Sequence, residues 1–357
     1  MNALLEIDGA ACSGSGMIVR QAMAYAAVTR TPVHLRHVRA RRARPGLRRQ
    51  HLCAVEAVRT LVGGTVAGAS LGSREFTFYP ADETPRGRYA FDVGTAGSAT
   101  ALSLALLPVI AEAHEPVQVE LTGGLFQERA PSAFHLQHVL APLLGRMGLT
   151  VTVTLVRPGY PPSGGGVLRL RVRPDGPLAP LEAERFGPVR SVWGIALASH
   201  LRERSVSRRM ADSAREVFAR AGHEARIEER DDTGALQPGA GIAVFADLTG
   251  GWRLGADGAG VRGRPAERIG HATAARLLQD LRTGAVLDRY ASDQIIPFAA
   301  LARGRSRLRL AGVTDHVRTG IWLTNLFGVA RASLDGRLLV VEGGSPGDPA
   351  TQRREPY

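Results

Sequence analysis

The sequence predicts an α/β protein built from repeats, and three observations carry that reading. Strand-like and helix-like stretches alternate from the N-terminus onward. The series strand, helix, strand, helix, strand, strand fills about 80 residues and occurs twice in succession. After a proline-studded linker and a stretch of different texture, the same series returns near the C-terminus. A unit of this kind has a sheet face and helix stripes to bury, so neighbouring copies pack around a shared core.

Each element follows from local pattern. Residues 3–7 read as a strand, followed by the small-residue turn DGAACSGSG and a helix from Met17 to Tyr25. Strand, glycine turn and helix together point backbone N–H groups at an anion, although such turns also serve plain packing. A second strand covers 33–38, a helix 52–61, and a hairpin pair 66–70 and 75–79. The series restarts with a strand at 88–93, the turn GTAGS, an apolar helix at 99–112 and a strand at 117–122. A helix at 133–147 follows, with Leu136, Val139, Leu140, Leu143 and Leu144 at helical spacing, and then strands at 151–156 and 166–172. Residues 174–180 are a linker. A strand at 189–199, a helix at 206–221 and strands at 225–230 and 242–247 read as a smaller mixed α/β insert, with a glycine-rich exit from 250 to 263. Helices at 266–283 and 291–301, a strand at 306–310, a helix at 318–327 and strands at 330–334 and 337–341 then resume the repeat. The domain reading is 1–180 for two catalytic repeats, 181–265 for the insert, 266–342 for the third repeat, and 343–357 for a disordered tail rich in glycine and proline.

Composition narrows the chemistry. The chain has 357 residues, 44% hydrophobic and 22% charged, which is globular and not disordered. No apolar run reaches the roughly 20 residues that span a membrane. The start, MNALLEIDGA, lacks the basic region of a signal peptide, so a cytoplasmic protein without a membrane partner is expected. The net charge is +12, which favours polyanion partners, and all 45 basic residues are arginine. Without lysine there is no Walker A loop, no Schiff base and no lysine-linked nucleotidyl transfer. A covalent adduct through a side-chain amine or imidazole nitrogen must use one of the ten histidines.

Three places carry candidate chemistry. Arg36–His51 packs seven arginines and two histidines into sixteen residues around Pro45-Gly46. It is either a solvated charge run or a phosphate clamp, since guanidinium forks match phosphate oxygens. His316, in the stretch TDHVRT, stands at the first turn of a helix, where incoming negative charge is favoured. That suits a nucleophile or a simple cap. Asp293-Gln294, behind Arg289-Tyr290, can read a base or ribose, orient an imidazole, or cap a helix. His34, His114, His135, His138, His200, His223 and His271 show no ligand spacing, so they read as structural or surface residues and no metal site is expected.

Taken together, these pieces resemble the RNA 3'-terminal phosphate cyclases. The match rests on Asp8-Gly9-Ala10 with Gly14, Gly16 and Arg20; Arg39-Ala40, Arg42-Ala43 and Pro45-Gly46-Leu47; and Arg49-Gln50-His51-Leu52. It continues through Gly94, Ala96-Gly97-Ser98 and Thr100, through Pro161 with Ser163-Gly164-Gly165-Gly166, and through Gly260, Gly263, Pro265-Ala266-Glu267 and Gly270. Tyr290, Asp293-Gln294, Pro297, His316-Val317-Arg318-Thr319 and Ile321 complete it. The resemblance implies three βαβαββ units, with the insert breaking the third. It implies an ATP-dependent enzyme that converts an RNA 3'-phosphate end to a 2',3'-cyclic phosphate through an adenylated histidine. His316 would be the nucleophile. Tyr290, Ala291, Ser292, Asp293, Gln294 and Pro131 would line the nucleotide site, and Arg20, Arg39, Arg42 and His51 would hold phosphates. Arg36, Arg41, Arg44 and Arg48 would be surface charge.

A divalent cation, magnesium or manganese, is also implied, but Ser13 stands where the family has the glutamate associated with it. Cys12, Met17, Leu104 and Leu125-Phe126-Gln127-Glu128 depart as well. These departures leave two alternatives: a noncatalytic RNA-binding relative of the ribosome-assembly type, or a cyclase-like enzyme with altered nucleotide or metal use. An enolpyruvyl transferase shares the repeat architecture, but its chemistry leans on lysines that are absent here.

Overall fold

The computed structural model describes residues 3–128 and 130–344. Its first repeat runs β1 (Leu5–Asp8), α1 (Gly16–Thr29), β2 (Val33–Arg36), α2 (Arg49–Val62), β3 (Gly64–Ala67), β4 (Phe76–Pro80), with strand order β1-β2-β4-β3. β1 and β2 are parallel, which requires the crossover that α1 supplies, while β4 is antiparallel to both its neighbours. The second repeat copies this connectivity. It comprises β5 (Gly87–Asp92), α3 (Ala99–Ile110), β6 (Val117–Gly123), the helical stretch α4 over 133–145, β7 (Leu149–Arg157) and β8 (Gly166–Pro174), in the order β5-β6-β8-β7.

β9 (Glu182–Ala183) opens the third repeat, and the chain then leaves it. The insert comprises β10 (Val189–Ser199), α5 (Val206–Arg220), β11 (Ala225–Asp232), β12 (Gly239–Leu248), β13 (Arg253–Ala259) and α6 (Ala266–Leu281). Its sheet has the order β11-β10-β12-β13. The third repeat then finishes with the helical stretch α7 over 291–301, β14 (Gly304–Arg309), α8 (Asp315–Phe327), β15 (Ala330–Asp335) and β16 (Leu338–Gly343). β9 pairs parallel with β14, and β16 lies antiparallel between β14 and β15. The architecture is thus a mixed α/β fold of three like-connected sheets and one different sheet.

Packing moves three of the expected boundaries. Residues 182–183, placed in the insert by sequence, belong to the third sheet. The helix at 266–281, placed in the third repeat, packs on α5, β12 and β13 of the insert. The reason is visible at Gly270, where an added Cβ would collide with the Met210 carbonyl of α5. The exit read as a glycine-rich loop contains β13. Its glycines serve close approach, since a Cβ at Gly258 would strike Thr273 on α6. Gly343, read as the start of a disordered tail, pairs with Gly304 and Ala330. Residues 345–357 of that tail lie outside the described residues.

The three repeats meet at α1. It is apolar nearly all round and buried from Gly16 to Val19 and from Gln21 to Ala27, as expected of a helix packed on every side. Its neighbours are α2, α3 and α8. Side-chain caps start the helices that matter for the site: Ser15 accepts from the Met17 N–H and Thr314 from the Val317 N–H.

Candidate active site

The glycine turn after β1, the start of α2 and the start of α8 converge. The Ser13 N–H donates to the Thr319 hydroxyl at 3.2 Å, which ties the turn to α8 one helical turn beyond His316. Arg41 lies along the same turn: its Nη1 donates to the Cys12 carbonyl at 2.6 Å. Its side chain fills the space a Cβ on Gly14 would need, and Gly14 sits at φ +51°. Burial pushes the Cys12 thiol up, with Arg41 opposing and Asp315 adding. Asp315, beside His316, therefore lies within electrostatic reach of the turn.

His51, in the first turn of α2, is only 3% exposed. Its Nδ1 accepts from the Arg48 N–H at 3.3 Å, and its Nε2 lies 3.4 Å from Gln50 Nε2. That Nε2 faces Gly16 at the start of α1, where a Cβ would collide with it. Burial pushes the imidazole down to about 3, helped by Arg20, Arg39 and Arg48, so the ring is neutral. Arg20 is pulled down to about 10 by desolvation, with Asp293 opposing. Arg39 is lowered by burial and by Arg48 and Arg42. It adopts φ +55° and spends Nη1 on the Arg44 and Gly46 carbonyls, at 2.9 and 2.7 Å. Arg48 and Arg42 depress Arg39, so an anion beside it relieves repulsion as well as forming charge-assisted hydrogen bonds.

His316 is the second residue of α8, and its Nδ1 lies 3.6 Å from Asp293 Oδ2, an ion-pair contact longer than a hydrogen bond. Asp293 thus faces both His316 and Arg20, and joins the arginine cluster to the helix-borne histidine. Tyr290, one turn earlier, lines a cleft of about 480 Å³ with Gln127, Asp257, Arg268 and Arg276. Burial raises the Tyr290 hydroxyl, which accepts from Arg276 Nη1 at 3.1 Å.

The expected residues do not all reach this space in the same way. Arg20, Arg39, Arg48 and His51 form one electrostatic group, with Asp293 and His316 beside it. Arg42 is exposed and acts on Arg39. Ala291 and Ser292 are fully buried, and the Ser292 hydroxyl donates to the Asp288 carbonyl, so they support the turn from behind. Pro131 is buried next to Ala130, which lines the cleft, and its carbonyl accepts from the Thr100 hydroxyl. Arg41 and Arg48 are exposed, as expected, and each also has a local role. Arg41 holds the glycine turn, and Arg48 acts on His51 and Arg39. Arg36 pairs with Glu6 at 3.2 Å on the surface. Sequence reasoning missed Arg41 because neighbours in a charge run look alike until the loop is folded.

The residues fit a nucleotide. The buried Oε1 of Gln294 has no hydrogen-bond partner among the described residues, which suits a donor from a ligand. They do not fit a protein-held divalent ion at the glycine turn. Ser13 Oγ is engaged with Ser15 Oγ at 2.9 Å, and the charge at the turn is already the Arg41 guanidinium. Among the described residues no group of three or more His, Cys, Asp or Glu side chains is placed to hold a metal.

Fold and site together define a protein of three βαβαββ repeats, with an arginine cluster and a helix-borne histidine brought together through Asp293. Residues 11–334 match the family model described as RNA 3'-terminal phosphate cyclase. The chain is 37% identical over 357 residues to the RNA 3'-terminal phosphate cyclase of Methanopyrus kandleri, covering 99% of each. It is 41% identical over 325 residues to that of Hyperthermus butylicus, covering 89% of this chain and 90% of the relative. A third, from Pyrococcus furiosus, is 37% identical over 341 residues and 96% of each chain. The chain belongs to the RNA 3'-terminal phosphate cyclase family. A solved structure, the enolpyruvyl transferase NikO from Streptomyces tendae, aligns over 95% of this chain and 50% of its own at 15% identity. Its TM-score of 0.25 is too low to bear on fold or function.

Proposed function

We propose that this protein is an RNA 3'-phosphate cyclase that uses ATP and carries the nucleotidyl group on His316. The observation that supports this most is the contact of His316 Nδ1 with Asp293, at the start of α8 and beside Arg20. A carboxylate facing Nδ1 leaves the Nε2 lone pair free to attack. In the first step Nε2 bonds to the α-phosphorus of ATP, the bond to the β-phosphate oxygen breaks, and pyrophosphate leaves. Asp293 then stabilises the Nδ1 proton. In the second step an oxygen of the RNA 3'-phosphate attacks the same phosphorus and the P–N bond breaks, which restores His316. In the third, the ribose 2'-hydroxyl attacks the RNA phosphorus, AMP leaves, and the hydroxyl proton is lost to solvent.

Every step moves charge between phosphates, so positioning and fixed positive charge carry the catalysis. Arg20, Arg39 and Arg42 supply that charge, beside the neutral ring of His51. Tyr290 and Gln294 hold the nucleoside. The exposed members of the arginine run guide the RNA strand. Among the described residues no helix is long and apolar enough to cross a membrane, and Cys12 and Cys53 are free; a cytoplasmic enzyme is our reading. The test is an RNA bearing a labelled 3'-phosphate. With ATP the label is expected to become phosphatase-resistant, with one AMP released per end. Label that stays phosphatase-sensitive with both ATP and GTP refutes the reading.

A further inference from the structure

A buried charge cluster lies beneath the turn that carries Tyr290. Asp288 and His135 are both fully buried, with His135 Nε2 3.1 Å from Asp288 Oδ2. The same carboxylate accepts the N–H groups of Tyr290 and Ala291, each at 2.9 Å, and that of Gly255 at 2.8 Å. Four donors fill what a carboxylate can accept. They come from three parts of the fold: His135 from α4 of the second repeat, Gly255 from β13 of the insert, and Tyr290 and Ala291 from the turn itself. The His135 ring also meets the Tyr290 ring edge-on, with centroids 5.5 Å apart at 82°. A second link from the insert is Arg276 on α6. Its Nη1 reaches both the Asp257 carbonyl and the Tyr290 hydroxyl, at 2.8 and 3.1 Å.

We propose that Asp288 and His135 are positioning residues that lock the turn carrying Tyr290, Asp293 and Gln294 to both the second repeat and the insert. The insert thereby serves the nucleotide site and is more than a separate appendage. The inference rests on the nucleotide reading of that turn. Its physical basis is that a turn of this length cannot hold its own geometry, and a charged hub fixes it from the side opposite the ligand. Loss of the hub therefore lets Tyr290, Asp293 and Gln294 wander, which weakens nucleotide binding and loosens the partner of His316.

The experiment is steady-state cyclisation by the full chain, with ATP and 3'-phosphorylated RNA varied separately, alongside thermal melting. Asp288→Asn and His135→Gln are expected to raise the KM for ATP at least about tenfold, with the KM for RNA within about twofold, and to slow adduct formation as Asp293 loosens with the turn. A purely structural role lowers kcat through lost folded protein and leaves both KM values alone. Should neither variant fold, Arg276→Gln and Tyr290→Phe test the second link. Each is expected to raise the ATP KM, and the double variant no more than the larger single one. An ATP KM unmoved in the folded hub variants overturns the proposal, and so does simple additivity of Arg276→Gln with Tyr290→Phe. Wild-type protein without ATP-dependent turnover overturns the functional reading beneath it, and this proposal with it.

Discussion

Acidification from pH 6.5 to pH 4.5 removes stability from this protein through buried histidines, and His51 is the one at the site. His51 is 3% exposed, and burial among Arg20, Arg39 and Arg48 pushes it down to about 3. In the unfolded chain a histidine titrates near 6.5. A folded value below the unfolded one means that the unfolded state binds more protons throughout that window. Stability is therefore full above about pH 6.5 and falls as the pH drops toward the folded value. Over two pH units the linkage is worth about 2 to 3 kcal/mol, a large share of a typical folding free energy. The perturbation is His51→Asn, which keeps an acceptor for the Arg48 N–H and removes the titration. Urea unfolding between pH 4.5 and 7.5 gives the two stability curves. His138, pushed down to about 4, titrates in the same window in both proteins and cancels in the difference. Wild type should lose about 2 to 3 kcal/mol more than the variant on acidification. Parallel curves would refute the neutral, arginine-caged His51.

Other perturbations read out the rest of the site. Arg41→Ala should cut cyclisation by about tenfold or more, because it releases the glycine turn that is tied to the start of α8. Arg36→Ala, which breaks only an exposed pair with Glu6, should leave stability and rate within about 0.5 kcal/mol of wild type. Equal effects in the two would return the arginine run to undifferentiated surface charge. Asp293→Asn should slow formation of the histidine adduct by about a hundredfold or more, as seen in single-turnover kinetics, because a charged partner of the imidazole is lost. Gly270→Ala should destabilise the insert by about 2 kcal/mol or more, since its Cβ meets backbone that cannot yield. Melting curves decide that case.

The repeat was legible because its signals are local. Alternation, helical spacing and glycine turns mark strands and helices wherever the neighbouring chain lies. His316 was legible for the same reason: the cap Thr314 and the following apolar residues place it at a helix start. What remained hidden depends on distant chain. β13 carries too many glycines to look like a strand, and only the facing helix explains them. The helix at 266–281 has an ordinary amphipathic pattern that does not say which sheet it covers. Arg41 and Arg36 differ only in what the folded loop brings beside them, a backbone carbonyl of the glycine turn in one case and Glu6 in the other. Asp288 has no motif of its own, since its four partners come from 33 and 153 residues away as well as from its own turn.

The most direct measurement is the mass of the protein after incubation with ATP and a divalent ion in the absence of RNA. The account predicts an acid-labile addition equal to one AMP residue, on a peptide containing His316 and absent from His316→Asn. Wild-type protein that stays unmodified with both ATP and GTP, or an adduct that survives the His316 substitution, would contradict it.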